Sequence, residues 1–223
     1  MTTDSAVGVA ARPAAPARTH TAPPVPARVD QAPVDPALLD PDPVDPAPAH
    51  GTRTVADPGA DAYRAAMGLL PTGVTVITAG TGDRTEALTV SSVTSVSLAP
   101  LLLLVSIGAT GRLRRRVEEH RAFTVNVLGT GQEDLSSRFA SHGRPSGAAA
   151  QELLGPRTGQ TGNALVDGAV LSVDCQVEHQ YPGGDHVLFI GRVAALHMPD
   201  EPPAPLLYHR GGYADLHRKE AAA

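Results

Sequence analysis

Leu88-Thr89-Val90-Ser91-Ser92-Val93-Thr94-Ser95-Val96-Ser97-Leu98 is the stretch of sequence from which the fold follows. Hydroxyl-bearing residues alternate with valine from Ser91 to Ser97, and this period of two is typical of a β-strand. Ser91 and Ser92 are adjacent, so a regular strand would point them to opposite faces. A bend or bulge near Ser91-Ser92 would instead gather Thr89, Ser91 and Ser92 around one point.

Strand signals also dominate the flanking sequence. Thr75-Val76-Ile77-Thr78 is β-branched, and Gly80-Thr81-Gly82-Asp83 after it has the chemistry of a hairpin turn. The apolar run Leu101–Ile107 predicts a strand buried on both faces. Other strands are predicted at 123–128, 169–177 and 187–196, short helices at 61–70, 112–120 and 132–139, and a long loop, acting as a lid or mobile segment, at 140–168.

These elements predict a mostly β protein with short α-helices. Hairpin spacing favours a small antiparallel barrel over βαβ units. Neither GxGxxG nor GxxxxGK(S/T) follows any predicted strand, so a Rossmann or P-loop site is not expected.

Composition divides the chain in two. Of its 21 prolines, 12 lie between Pro13 and Pro58, whereas all seven aromatic residues come later. A Pro/Ala-rich segment without aromatics cannot bury enough apolar surface to offset its ordering entropy. We therefore expect a disordered tail over residues 1–58 and one globular domain over 59–223.

Charge and cysteine usage exclude several classes of protein. The net charge of −5 argues against a nucleic-acid binder, and the single cysteine, Cys175, cannot form an intramolecular disulfide. No Cys/His cluster has zinc spacing, so no metal site is expected. No apolar run reaches the roughly 20 residues that a membrane span requires, and a cytoplasmic protein is the default expectation.

Four segments carry candidate chemistry, each with a plainer alternative. Hydroxyls and free N–H groups at the Ser91-Ser92 bend suit a phosphate or a flavin edge, unless the strand simply faces water. Gly183-Gly184-Asp185-His186 presents a histidine that could contact a ligand, or is an ordinary polar hairpin tip. Tyr208-His209-Arg210-Gly211-Gly212-Tyr213 could stack on a planar ring, or only ties down the C-terminal segment. The arginines of 112–116 could hold phosphates, or form a solvated helix face.

These segments occur in an order that resembles the flavin reductase family. The resemblance rests on 67–78, 88–98, 123–128, 137–140, 184–186 and 208–211, and it extends from about residue 60 to 216. It implies an FMN-binding split β-barrel, generally a homodimer. It further implies reduction of FMN or FAD by NADH or NADPH, often to supply a separate flavin-dependent monooxygenase.

The resemblance also implies roles for individual residues. Around the flavin it places Thr72, Thr89, Val90, Ser91, Ser92, Phe139 and Ala140. It places His186 by the nicotinamide as the catalytic residue, with Tyr208 and Arg210 near it. At the family's phosphate-binding stretch this chain reads Gly108-Ala109-Thr110-Gly111-Arg112-Leu113, where Thr110 and Arg112 are the candidates. Two alternatives stay open: a non-catalytic flavin-binding or scaffold protein on the same barrel, and a flavoenzyme acting on another small substrate.

Overall fold

The computed structural model describes residues 53–216, which contain ten strands, four α-helices and one short 3₁₀ helix, Gly82–Arg84. The strands are β1 Thr72–Gly73, β2 Thr75–Ala79, β3 Glu86–Val90, β4 Val93–Leu98, β5 Leu101–Gly108, β6 Ala122–Val127, β7 Leu171–Gly183, β8 His186–His197, β9 Leu207–His209 and β10 Gly212–Ala214. The helices are α1 Ala60–Met67, α2 Arg112–His120, α3 Glu133–Ala140 and α4 Gly147–Leu154. Most of the predicted tail, residues 1–52, lies outside the described residues.

One seven-stranded sheet, in the order β3-β2-β6-β7-β8-β5-β4, forms the body, and all its pairings are antiparallel. Its two edge strands, β3 and β4, are consecutive in the chain, so Ser91-Ser92 carries the chain from one edge to the other. The sheet must therefore curl until its edges meet. Val90 and Val93 both pack against the same core cluster, which confirms the predicted bend and the antiparallel barrel.

The barrel core is built from side chains that alternate inward along the strands. Its largest members are Ile77, Ile107, Leu113, Phe123 and Phe189, all fully buried. The helix signal at 112–120 is confirmed, because α2 turns Leu113 and Val117 into this core. Burial of these apolar side chains inside the curled sheet is thus the main source of the barrel's stability.

The expectation that Leu101–Ile107 is buried on both faces is wrong. Along β5 only every second residue, Leu103, Val105 and Ile107, is buried. Leu101 is exposed, and Leu102 and Leu104 are partly exposed. An apolar run cannot reveal this difference, because leucine occupies both faces and the periodicity disappears.

The prediction of a long loop over 140–168 is also wrong. Ala148 to Leu154 is rich in good helix formers and makes up most of α4, which buries Ala150 and Leu154 in a second core cluster. The rest is tied to the barrel by buried polar side chains. The N–H of Thr161 donates to Asp174 Oδ2 (2.8 Å), and the N–H of Val166 donates to Asn126 Oδ1 (3.0 Å).

A small three-stranded sheet, β1-β9-β10, flanks the barrel. The turn of its β9–β10 hairpin is Arg210-Gly211, whose φ angles of 52° and 82° are those of a tight type I′ turn. Helix α1 lies beside this turn, since the N–H of Arg210 donates to the carbonyl of Gly68 (2.7 Å). The predicted helix at 61–70 is observed as α1, and its apolar residues Tyr63 and Met67 are solvent-exposed, because no α1 residue is buried.

Between residues 53 and 216, no helix has both the length and the apolar character that crossing a membrane requires.

Gly191 tests the packing of the barrel. A Cβ there would lie 2.6 Å from Cζ of Phe123 and 2.8 Å from Cβ of Cys175, closer than van der Waals contact. Gly191→Ala should therefore lower the free energy of unfolding by about 1–3 kcal/mol in urea denaturation. Gly59→Ala, with no atom within 4 Å, is the matched control. Equal stabilities of the two variants would contradict this packing.

Candidate functional site

A cleft of about 470 Å³ opens where the chain leaves β3. One wall is the end of β3 and the bend, and a second wall is the C-terminal half of α3. The third wall is the β9–β10 hairpin. The residues that line the cleft are Val74, Thr89, Val90, Ser91, Ser136, Ser137, Ala140, Ser141, Tyr208 and Tyr213.

The bend supplies unused hydrogen-bonding groups. Ser91 and Ser92 belong to neither strand and are exposed. Their carbonyls accept from the N–H groups of Val93 (3.1 Å) and Ser106 (3.2 Å), whereas their own N–H groups donate none of the hydrogen bonds found within residues 53–216. Two adjacent N–H donors at a bend are suited to the carbonyl or nitrogen edge of a ligand.

Helix α3 is fixed to β3 by a side chain of the candidate site. The hydroxyl of Thr89 donates to the carbonyl of Ser136 (2.7 Å). Thr89 thus holds α3 at the cleft in addition to lining it. Ser136 is itself buried and Thr89 is partly exposed, so the contact is partly shielded from water.

Phe139 does not form a wall of the cleft. Its side chain is fully buried in the second core cluster, with Leu128, Leu154 and Leu206. Ala140, the next residue on the helix, lines the cleft as predicted. Successive residues of a helix point about 100° apart, and in α3 this turns Phe139 into the core while Ala140 faces the cleft. Phe139 is therefore corrected from a cleft residue to a core residue.

The hairpin wall carries two tyrosines. The rings of Tyr208 and Tyr213 lie 5.6 Å apart at an interplanar angle of 71°, an edge-to-face contact. They are 42% and 38% exposed, so apolar ring surface remains open to a ligand. Thr72 lies beside Tyr208 in the same sheet, as its ladder partner between β1 and β9.

A group of charged side chains lies beyond Ser141, the end of the α3 wall. The guanidinium of Arg112 donates to Glu86 Oε2 (3.2 Å) and to the carbonyl of Arg144 (2.9 Å). Burial, and then the charge of Arg112, lower the pKa of Arg144, while Glu86 opposes the shift. Two arginines against one carboxylate leave an excess positive charge, which an anion would neutralise.

The remaining arginines of the 112–116 run are mostly engaged on the helix surface. Arg114 pairs with Glu118 (2.7 Å) and Arg116 with Glu119 (2.9 Å). Arg114 and Arg116 therefore fit the interpretation of a solvated helix face. Arg112 belongs instead to the charged group that contains Glu86 and Arg144.

His186 lies at the tip of the β7–β8 hairpin and is not among the residues that line the cleft. Its Nδ1 is 2.7 Å from Asp185 Oδ1, so Nδ1 donates and Nε2 is left for another partner. The hydrogen bond from His186, and then its charge, lower the pKa of the Asp185 carboxyl. His186 pairs with Gly108, and the N–H of Ala109 donates to Asp185, which brings the tip close to Thr110.

The structure thus brings together only some of the predicted residues. Thr89, Val90, Ser91, Ala140 and Tyr208 line one cleft, and Thr72 is the ladder partner of Tyr208. Ser92 belongs to the bend but is not among the residues that line the cleft: its hydroxyl and carbonyl bond Ser106 of β5, and Thr110 and His186 lie at the C-terminal end of that strand. Arg210 faces a shallow groove with Asp61 and Arg64 of α1, so a single chain does not gather His186, Tyr208 and Arg210.

Four cleft residues were missed by the sequence analysis: Val74, Ser136, Ser137 and Ser141. The helical period contains the missing signal for Ser136 and Ser137, since residues three and four apart share a face with Ala140. Ser141 follows the last residue of α3 and is not covered by this spacing. Val74 gave no such signal, because it precedes β2 as one apolar residue among several.

The chemistry of the cleft fits a flavin. Its apolar surface, from Val90, Ala140 and the two tyrosines, can cover a planar ring, while the bend offers N–H donors to the ring edge. Arg112 and Arg144 lie beyond Ser141, at the end of the helix wall, where their positive charge suits the phosphate of a flavin nucleotide.

Comparisons with known proteins agree with this fit. Residues 67–217 match the family described as flavin reductase like domain, and the chain belongs to this family. An NADH-dependent FMN reductase from Streptomyces nodosus subsp. asukaensis is 56% identical over 160 residues, covering 72% of this chain and 86% of the relative.

Two further relatives extend the comparison. The reductase component of 4-hydroxyphenylacetate 3-monooxygenase from Thermus thermophilus is 33% identical over 156 residues, covering 70% of this chain and 96% of the relative. The solved structure of an NADH:FAD oxidoreductase from Streptomyces globisporus superposes with a TM-score of 0.69 at 30% identity, covering 76% of this chain and 100% of that one. The expected split β-barrel is confirmed.

Proposed function

We propose that this protein is an NADH-dependent flavin reductase that uses FMN in preference to FAD. The observation that carries the proposal is the cleft at the Ser91-Ser92 bend, with unused N–H donors on one side and two tyrosine rings on another. The relative with 56% identity is an NADH-dependent FMN reductase, which favours both the nicotinamide and the flavin.

The protein's part in this reaction is to bind and orient. A bound flavin supplies the chemistry by accepting a hydride from the nicotinamide of NADH. Val90, Ala140 and Tyr208 enclose the ring and exclude water from its faces. The N–H groups of Ser91 and Ser92 fix its polar edge, which sets the orientation in which the nicotinamide meets it.

The phosphate of FMN is assigned to Arg112, Arg144 and Thr110. The guanidinium of Arg112 donates to the backbone carbonyl of Arg144 and pairs with Glu86, and the charges of Arg112 and Glu86 both act on the Arg144 guanidinium. FMN would be an exchangeable substrate. A charge contact suits such a substrate better than a deep enclosure, because it holds the phosphate end while the ring enters or leaves the cleft.

Reduced flavin is the product, and we propose that a separate flavin-dependent monooxygenase consumes it. The Thermus thermophilus relative is the reductase component of such an enzyme. The reaction would take place in the cytoplasm, where NADH is available.

We propose further that the protein is a homodimer. Strand β4 is an edge of the sheet, and its apolar residues Val96 and Leu98 are exposed, Leu98 to 84%. Leu101, the neighbour of Leu98 across the β4–β5 turn, is also exposed. An exposed apolar sheet edge is a liability unless a partner covers it, and a second copy would do so.

The reductase activity is tested with purified protein and NADH. Addition of FMN should accelerate loss of NADH absorbance, FAD should do so less, and NADPH should be a poorer reductant. Absence of acceleration by both flavins with both nicotinamides would contradict the proposal.

The phosphate site is tested by comparing FMN with riboflavin, which lacks the phosphate. Arg144→Gln should raise the KM for FMN about tenfold or more, because a charge-assisted hydrogen bond is lost, and should leave the KM for riboflavin unchanged. Arg115→Gln, an exposed arginine on α2, is the charge-matched control. An equal rise for FMN and riboflavin would refute the assignment.

The role of His186 is tested by separating the two substrates. We propose that its free Nε2 contacts the nicotinamide, so His186→Ala should raise the KM for NADH more than that for FMN. Asp185→Asn should have a smaller effect in the same direction, because the carboxylate orients the imidazole. Equal effects on both substrates would rule out this role.

The homodimer is tested by sedimentation velocity. The wild-type protein should have twice the 23.0 kDa mass of the chain, whereas Leu98→Asp should yield monomer. Leu153→Asp, at an exposed leucine of α4, should stay dimeric. A monomeric wild-type protein would refute this part of the proposal.

A further inference from the structure

The outer strand of the β9–β10 hairpin, β10, has few contacts with the body of the protein. β9 pairs with β1 over only two residue pairs, and β10 pairs with β9 alone. Each strand has three residues. An isolated hairpin of this size is marginal in water. The position of the third wall of the cleft therefore depends on contacts outside the β-ladder.

Tyr213 of β10 provides such a contact. Its hydroxyl donates to Oγ of Ser136 (2.9 Å) and lies 3.1 Å from Oγ of Ser137, which can donate in return. Among the hydrogen bonds of residues 53–216, these are the side-chain bonds that join β10 to the body. The Tyr213 hydroxyl thus bridges the hairpin wall and the helix wall of the cleft.

The bridge continues to the bend. Ser136 accepts from Tyr213 through its side chain and from Thr89 through its carbonyl, so one buried serine contacts both the hairpin and β3. The ring of Tyr213 also supports the ring of Tyr208 edge-to-face. Ser136, itself part of the helix wall, therefore bonds residues of both other walls.

We propose that Tyr213 is a positioning residue that sets the width of the flavin cleft by latching the β9–β10 hairpin to Ser136 and Ser137. The inference rests on the proposed function for its substrate, while the latch itself is a property of the chain. When the latch is closed, Tyr208 is held at the distance that a planar ring requires. When it is open, the hairpin is retained by β1 and by the hydrogen bond from the N–H of Arg210 to the carbonyl of Gly68, and the outer strand β10 loses its attachment to the α3 wall.

Tyr213→Phe separates the hydroxyl from the ring, because phenylalanine keeps the edge-to-face contact. The KM for FMN should rise about three- to tenfold, corresponding to one or two lost hydrogen bonds, while the KM for NADH and kcat change less than twofold. Tyr63→Phe, the same change at an exposed tyrosine of α1, is the control and should leave all three constants unchanged. An unchanged KM for FMN in Tyr213→Phe would overturn the proposal.

A double-mutant cycle tests whether the serines are the partners. In a Ser136→Ala, Ser137→Ala background, Tyr213→Phe should add no further increase in the KM for FMN, because the bonds are already lost. Fully additive effects would overturn the assignment of these partners.

Amide hydrogen exchange tests the latch without flavin or activity. Tyr213→Phe should accelerate exchange of the β9 and β10 amides in the ligand-free protein and leave the β6 and β7 amides unchanged. If wild-type protein fails to oxidise NADH but this acceleration is found, the proposed function fails and the latch stands. Unchanged exchange in β9 and β10 would overturn the latch itself.

Discussion

The passage of the chain from β3 to β4 through Ser91-Ser92 is the constraint on which the rest of the structure depends. Two residues must connect opposite edges of a seven-stranded sheet, so the sheet is forced to curl around one core. The same two residues cannot join either ladder, and their N–H groups remain unused. Barrel closure and a polar edge for a ligand thus arise from one structural feature.

The site adds little specialised chemistry to this feature. Helix α3 and the β9–β10 hairpin provide walls, and Arg112 with Arg144 provides excess positive charge. A flavin reductase needs no more than this, because both reacting groups belong to its substrates and the protein contributes mainly their relative placement. The small barrel is consequently sufficient without a separate nicotinamide-binding domain.

Much of this could be predicted from sequence, and the failures have physical causes. The alternation at 91–97 and the helical spacing of Leu113 and Val117 are local patterns, and both led to the correct element. The one-sided burial of β5 could not be seen because leucine occupies both faces. Helix α4 was hidden by flanking glycines and prolines, and its segment is ordered by Asp174 and Asn126, which are distant in sequence. Phe139 was assigned to the cleft from the resemblance, whereas its side chain packs in the core and only its neighbour Ala140 faces the cleft.

We propose that the unused N–H groups of the bend receive the flavin. A titration of the protein with FMN, followed by NMR of the backbone amides, tests it most directly. We expect the amide resonances of Ser91 and Ser92 to shift strongly and in step with saturation, whereas those of Ala195 and Leu196, near the C-terminal end of β8, stay in place. Saturable FMN binding that leaves the Ser91 and Ser92 resonances unmoved would contradict it.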